Sequence, residues 1–423
     1  MTRPKSMAKG ATPTLTPKLR FPQFRSAPEW EIVALGKIAE IKLGKMLDGK
    51  KHMTGQLLPY LNNISVRWNE VNTSNLPEMY FDDDELDRFG LRAGDVVVCE
   101  GGEPGRSAVW DGRLPNLKFQ KAIHRVRFNV PFEPKLLVLY LESMTGAPQF
   151  EALFTGGGIK HLTGETFAQL SIPFIPLAEQ QKITECLSSL DDLLSVERQK
   201  LDVLKAHKKG LMQKLFPREG ETIPRFRFPE FQNAAEWVTT VGGELFTNRK
   251  EGGEAGLPIY SVTINDGMVP RASFDRDFYD IEDPSGNKKA CEGDIAYNMM
   301  RMWQGAQGVA PKDCMVSPAY VVLAPREGVC AKFFAYFFKL PESLELLTAT
   351  SRGLTKDRLR LYFDDFARMR MCVPEFGEQQ RIVACLLSMD KSIATQNDKL
   401  EALNAHKRGL MQQLFPSSVE AEA

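Results

Sequence analysis

The chain has 423 residues, 54 Lys+Arg against 54 Asp+Glu, and a formal net charge of zero. That length suits two or three domains, each large enough to bury a core, and 43% hydrophobic with 26% charged residues is ordinary globular composition. No apolar run approaches the ~18 residues of a membrane helix. Neither a secretory signal nor a disulfide or zinc framework is readable: Arg3, Lys5 and Lys9 lead into Pro, Gly and Thr, and seven cysteines include no C-x-x-C pair. The expectation is a cytoplasmic chain without membrane contact. The balanced charge gives no global sign of phosphate binding.

A loose tail over 1–16 leads to PKLRFPQF at 17–24 and Trp30. GDVVVCEGG at 94–102 reads as a buried strand entered from a Gly-Asp turn. In KAIHRVRFNV, Val126, Phe128 and Val130 alternate with Arg125, Arg127 and Asn129, which predicts a half-buried strand with a basic outer face. Residues 134–153 read as a helix packed on that sheet. A glycine-rich basic stretch, GGGIKHLTGE at 156–165, precedes a long helix at 179–217.

The second half repeats this order. PRFRFPEF at 224–231 and Trp237 echo the first motif, GDIAY at 293–297 answers GDVVV, and 330–348 is again helical. SRGLTKDRLR at 351–360 then precedes EQQRIVACLLSMDKSIATQNDKLEALNAHKRGLMQQLFP at 378–416. That segment matches 179–217 without a gap at a shift of 199, with about half the positions identical. Three echoes in one order mark a tandem duplication. The intervening 31–175 and 238–373 share little else, as expected of two diverged recognition domains on a common frame.

Both long segments carry a heptad seam. In the first it runs through Ile183, Leu187, Leu190, Leu194, Leu201, Leu204, Leu211 and Leu215, broken at Glu197 and Lys208. In the second it runs through Ile382, Leu386, Met389, Ile393, Leu400, Leu403, Leu410 and Leu414, broken at the matching Gln396 and Lys407. Pro176 and Pro374 precede the helices, Glu179 and Glu378 sit in the first turns, and Pro217 and Pro416 stop them. Rods of roughly 55 Å with so narrow a seam are expected to pair with each other. Polar residues at core slots fix the register of such a pair.

Catalytic motifs are missing. Gly36-Lys37 and Gly44-Lys45 are followed by Ile38 and Met46, so neither completes a P-loop. No N-P-P-[YF] or D-P-P-Y stands for an amino-methyltransferase, and GGEPG at 101–105 lacks dinucleotide-loop spacing. His52, His124, His161, His207 and His406 form no ligand pair, and His207 and His406 suit helix C-termini. No metal or cofactor is expected on this chain.

Basic residues gather in the two stretches before the long helices. Lys160 and His161 stand in the first, and Arg352, Lys356, Arg358 and Arg360 in the second. Glycine lets backbone N–H groups approach phosphate, and arginine can read guanine edges. Lys50, Lys51, Arg106 in EGGEPGR, Arg249, Lys250 and Arg301 complete the candidates for DNA contact; each also reads as ordinary solvated charge.

With EQQKI, the heptad rod, HKKGLMQKLFP, the RFPxF…EW return and the whole layout repeated over 17–416, the chain resembles the specificity subunit of type I restriction–modification enzymes. The resemblance implies a non-catalytic subunit of mixed α/β (α+β) class with pseudo-twofold internal duplication. Target recognition domains at 17–178 and 233–377 would be joined by spacer helices at 179–217 and 378–416 in an antiparallel coiled coil. A linker at 218–232 and a tail at 417–423 complete the chain. Each recognition domain would read one half of a bipartite site on double-stranded DNA. The implied partners are two methyltransferase subunits using S-adenosylmethionine and restriction/translocase subunits using ATP and Mg. From the residues alone, a scaffold joining two proteins, or a fused methyltransferase or nuclease with an atypical site, stays open.

Overall fold

The structure, a computed structural model, describes residues 14–47, 54–274, 284–355 and 358–415. Of the expected tails at 1–16 and 417–423, residues 1–13 and 417–423 lie outside these residues, whereas Thr14 and Leu15 are not loose but pair as a short antiparallel strand with Glu31 and Trp30. The chain divides into two compact units, Met1–Glu197 with Lys399–Ala423, and Arg198–Asp398. The long helices run from Leu177 to Leu215 and from Phe376 to Leu414, and each is divided between the units near its middle. Each unit therefore contains its own mixed α/β domain and one stretch of each helix. Among the described residues, no helix is long and apolar enough to cross a membrane.

The first unit is built on a four-stranded antiparallel sheet in the order Ala39–Leu43, Ile123–Phe128, Val96–Cys99, Ser107–Val109. Its Gly-Asp strand is buried along its whole length because cores lie on both faces. Val96 and Val98 join Trp30, Leu136 and Leu139 on one face, while Val97 and Cys99 join Phe81, Phe89 and Phe119 on the other. Gly94 adopts a φ of 90°, which a side chain rarely tolerates. Asp95 closes the turn by accepting the Arg92 N–H at 2.7 Å.

The same carboxylate receives the Arg127 guanidinium through two hydrogen bonds of 2.7 Å. Arg125 is only 2% exposed, donating to the Gly90 carbonyl at 2.9 Å and to Glu40 at 3.1 Å. The expected basic outer face of strand 123–128 is thus an internal polar layer, covered by residues 87–95 and held by Asp95. Helix Pro134–Met144 closes the other face, burying Leu136 through Leu141.

The second unit repeats the sheet order with Phe246–Asn248, Tyr320–Pro325, Ile295–Asn298 and Gln307–Val309. Ile295 and Tyr297 pack with Phe246, Phe334 and Phe366, and Ala296 packs with Cys314, Val316 and Val322. Gly293 has a φ of 88°, and Asp294 accepts the Cys291 N–H at 2.8 Å. The topology and the turn recur although few residues do.

The duplicated flanking motifs join each α/β domain to the start of its helix. Arg20 meets both oxygens of Glu179 at 2.8 Å and donates to the carbonyls of Ala27 and Pro28 at 2.9 Å. Arg227 repeats this on Glu378 at 2.9 and 2.7 Å, and on Ala234 and Ala235 at 2.9 and 2.8 Å. The next residue in each helix adds a second tie. Gln180 bonds the Ile175 carbonyl and the Glu133 N–H, both at 2.7 Å, while Gln379 bonds the Pro374 carbonyl and the Cys330 N–H, both at 2.9 Å.

None of the expected seam residues is exposed. In the first unit Ile183 and Leu187 share a core with Leu410, Met411 and Leu414; in the second Leu211 and Leu215 share one with Ile382 and Leu386. The polar slots are paired. Lys407 reaches Asp191 at 2.7 Å and Glu142 at 2.9 Å, and Glu197 accepts from Lys399 at 2.5 Å. As the first helix advances from 191 to 197, its partner retreats from 407 to 399, so these stretches run antiparallel. Lys208 bonds Asp390 in the second unit, which is the Lys407–Asp191 pair shifted by 199.

Glu378 is 1% exposed and Arg227 7%, and removing one partner of such a buried pair costs about 3 kcal/mol or more. Glu378→Ala is expected to raise amide hydrogen exchange in Val238–Val241 and Ala331–Phe337 while Val96–Cys99 stays protected. Equal loss in both units would show that the pair does not act locally.

Candidate nucleic-acid interface

In the first unit the glycine-rich basic stretch forms a closed loop. Thr155 and His161 exchange two backbone hydrogen bonds of 2.8 Å. Gly156 has a φ of 106°, and a Cβ there would lie 2.3 Å from the Ile159 carbonyl oxygen, so the tight closure needs glycine. The loop hangs on the one that follows the Gly-Asp strand: Leu162 N–H donates to the Glu100 carbonyl at 2.7 Å, and Gly101 bridges His161. Leu162 itself is fully buried and anchors the arrangement.

A third loop, not foreseen from the sequence, joins these two. Asn62 caps a turn by accepting from Ile64 N–H at 3.0 Å and Ser65 N–H at 3.1 Å. The Asn63 carbonyl accepts Arg106 at 2.7 Å, and Glu103 takes Arg106 at 2.8 Å and the Trp68 indole N–H at 2.9 Å. The Asn-Asn dipeptide was the available turn signal. Arg106 therefore holds loops together and is largely enclosed. Lys160 pairs with Glu151 but remains 57% exposed, and His161 is exposed.

The second unit builds the same pair of loops with different side chains. Arg352 and Arg360 exchange backbone hydrogen bonds of 2.9 and 2.8 Å, and Leu361 N–H donates to the Met299 carbonyl at 2.9 Å. Leu361 and Met299 are Leu162 and Glu100 shifted by 199, so both loop pairs hang from equivalent atoms. A Cβ on Gly353 would lie 2.6 Å from the Arg358 carbonyl oxygen. Arg352 and Arg368 both bind Asp365 at 2.6 Å, and these two arginines hold its carboxyl below the usual carboxylate range. Arg301, Arg358 and Arg360 are exposed, with no ion pair among the described residues.

The structure thus brings Arg106, Lys160 and His161 together in one unit and Arg301, Arg352, Arg358 and Arg360 together in the other. Arg249 stands elsewhere. It binds Asp294 at 2.6 Å and Glu251 at 2.7 Å, at the opposite end of strand Ile295–Asn298 from the loop carrying Arg301, and these carboxylates raise its pKa. Exposed Lys250 adjoins it. Lys50, Lys51 and Lys356 lie outside the described residues. Among the described residues no group of three or more His, Cys, Asp or Glu could hold a metal ion.

Residues 28–206 match the family model described as type I restriction modification DNA specificity domain. The chain is similar to the type I restriction enzyme MjaVIII specificity subunit of Methanocaldococcus jannaschii, 27% identical over 202 residues, covering 46% of this chain and 43% of that protein. It is also similar to the putative type I restriction enzyme MjaX specificity subunit of that organism, 22% identical over 93% of this chain and 94% of the relative. In fold it is similar to the S subunit of a type I restriction–modification system from M. genitalium, with a TM-score of 0.56 at 17% identity over 95% of this chain and all of that one. A chain from a structure on complex assembly and conformational transition of the type I R-M system gives 0.59 at 20% identity, covering 92% and 98%. The family matched over residues 28–206 is the one that the motifs resemble.

His124 supplies a pH-dependent tie to the first loop pair. Its Nε2 lies 2.7 Å from the Leu162 carbonyl, and burial lowers the imidazole pKa despite that bond and the nearby Glu100. The folded chain thus holds the ring neutral, whereas the unfolded ring titrates near ~6.5. The ring's contribution is complete above about pH 6.5 and is lost as pH falls toward the lowered folded value. Amide exchange across 155–162, corrected for its chemical pH dependence, is expected to accelerate below that pH. His124→Gln should abolish the acceleration and His161→Gln retain it.

Proposed function

We propose that the chain is the DNA sequence-specificity subunit of a type I restriction–modification complex and performs no chemistry itself. The observation that carries this reading is the loop pair built twice on one frame, suspended from Glu100 and Met299 and bearing basic residues in both units. Rigid sheets ending in adjacent loops suit base reading, because the scaffold fixes where each side chain points while the loop sequence stays free to differ. Exposed Arg358, Arg360 and Arg301 can grip phosphate or guanine edges. In the first unit Lys160, His161 and the glycine backbone do the same with less charge.

Each unit reads one half of a bipartite duplex site, and the helices set the spacing between halves. Two methyltransferase subunits dock on this chain and bring S-adenosylmethionine; restriction/translocase subunits bring ATP and Mg. The chain acts in the cytoplasm, where its DNA and partners are. The match to the specificity-domain family and the repeated frame support this assignment over a protein–protein scaffold or a fused enzyme.

Reconstitution with the methyltransferase subunits, followed by sequencing of N6-methyladenine, tests the reading: a split site is expected, and exchange of 31–175 for a relative's segment should change one half only. Arg358→Ala with Arg360→Ala should weaken duplex binding and reduce the slope of log K against log salt by about 0.9 for each phosphate no longer neutralised. An unchanged slope with intact folding would assign these arginines to solvated surface. Inserting seven residues in both helices should lengthen the pair by about 10 Å and the gap by about three base pairs. An unchanged gap at full activity would mean that other elements set the spacing.

A further inference from the structure

The two loops share a feature that phosphate binding does not explain. Leu354, in the second-unit loop, is 97% exposed, and Ile159, in the first-unit loop, is 68% exposed. Single exposed aliphatics are common on protein surfaces. These two stand in loops that are each closed by a mutual backbone pair, Thr155 with His161 and Arg352 with Arg360, in segments that have otherwise diverged, each within a few residues of cationic side chains. Neither supports the fold, since the anchoring is done by buried Leu162 and Leu361.

We propose that Leu354 and Ile159 are specificity-determining residues, one per half-site, each reading a thymine through apolar contact with its 5-methyl group in the major groove. This rests on the DNA-reading function proposed above. The flanking Arg352, Arg358 and Arg360 in one loop, and Lys160 with His161 in the other, complement a polyanion and disfavour an apolar protein partner. Thymine's methyl is the apolar group that a major-groove edge offers, and an aliphatic side chain is its ordinary complement. A wedge between base steps is less suited. Wedging needs support from behind, whereas ideal Cβ atoms at Gly157 and Gly158 meet nothing within 4 Å and Leu354 is almost wholly free.

The test uses the reconstituted complex and the split site mapped with the wild-type chain. Duplexes carrying uracil for thymine, one position at a time, remove single methyl groups. In the second unit's half-site, one such replacement should weaken wild-type binding about three- to fivefold, the effect of burying one methyl. Leu354→Ala should weaken binding to the all-thymine duplex and remove that uracil sensitivity, whereas Arg360→Ala should weaken binding and keep it. Ile159→Ala should behave likewise in the other half-site. Wild-type affinity in Leu354→Ala, uracil sensitivity that persists in it, or a half-site without thymine would each overturn the inference. Absence of any split methylated site would instead overturn the function on which it rests.

Discussion

Two buried carboxylates, Glu179 and Glu378, govern how each unit is put together. Each lies at the start of a long helix, 1% exposed, and is gripped through both oxygens by an arginine from the duplicated motif at 17–24 or 224–231. Burying such a pair is costly, and a well-packed apolar substitute would often be as stable. What the ion pair adds is direction. Bidentate geometry fixes the angle between helix and chain, and the remaining guanidinium N–H groups capture the turn at 27–28 or 234–235. Gln180 and Gln379 then tie the first turn to the domain's own helix, at Glu133 and Cys330. A domain held this way can change its loops without changing its seat.

That constraint explains the uneven divergence of the two halves. The flanking motifs are alike because every member touches another: Arg20 needs Glu179, and Trp30 shares that carboxylate at 3.3 Å. The central sheets need only a strand buried on both faces and a Gly-Asp turn, so Val-Val-Val-Cys and Ile-Ala-Tyr-Asn serve equally. The loops hang by backbone atoms, Leu162 N–H on Glu100 O and Leu361 N–H on Met299 O, and such bonds are indifferent to the side chains involved. Loop chemistry is therefore free to vary, with arginines in one unit and glycines with Lys160 and His161 in the other.

What the sequence disclosed follows the range of the interaction. The long helices, their seam and the Gly-Asp strands were legible because a heptad or a turn is written in neighbouring residues, and because each appears twice. The polar breaks in the seam were legible as slots but not as bonds, since Lys407 takes Asp191 and Glu142 from far along the chain. Charged residues were misread for the same reason. Arg125 and Arg127 alternate as an exposed face would, yet residues 87–95 cover them, and nothing local in KAIHRVRFNV says so. Arg249 looked like half of a basic dipeptide and is the partner of Asp294, 45 residues away. The Asn62 turn went unread, and nothing local says that it meets the EGGEPGR loop.

The same distinction resolves the neutral charge. Equal numbers of acids and bases say nothing about where unpaired charge resides. Arg20, Arg125, Arg127, Arg227 and Arg249 each meet a carboxylate inside their own unit and offer little to a ligand. Lys407 and Lys208 are likewise engaged at the helix seam. Arg301, Arg358 and Arg360 stand exposed on adjacent loops with no ion pair among the described residues. A formally neutral protein can in this way present a concentrated positive surface, because internal pairs neutralise charge that composition counts as free. The first unit goes further, pairing Arg106 with Glu103 and Lys160 with Glu151. Its loops therefore expose glycine backbone and the aliphatic Ile159 where the second unit exposes Arg301, Arg358 and Arg360.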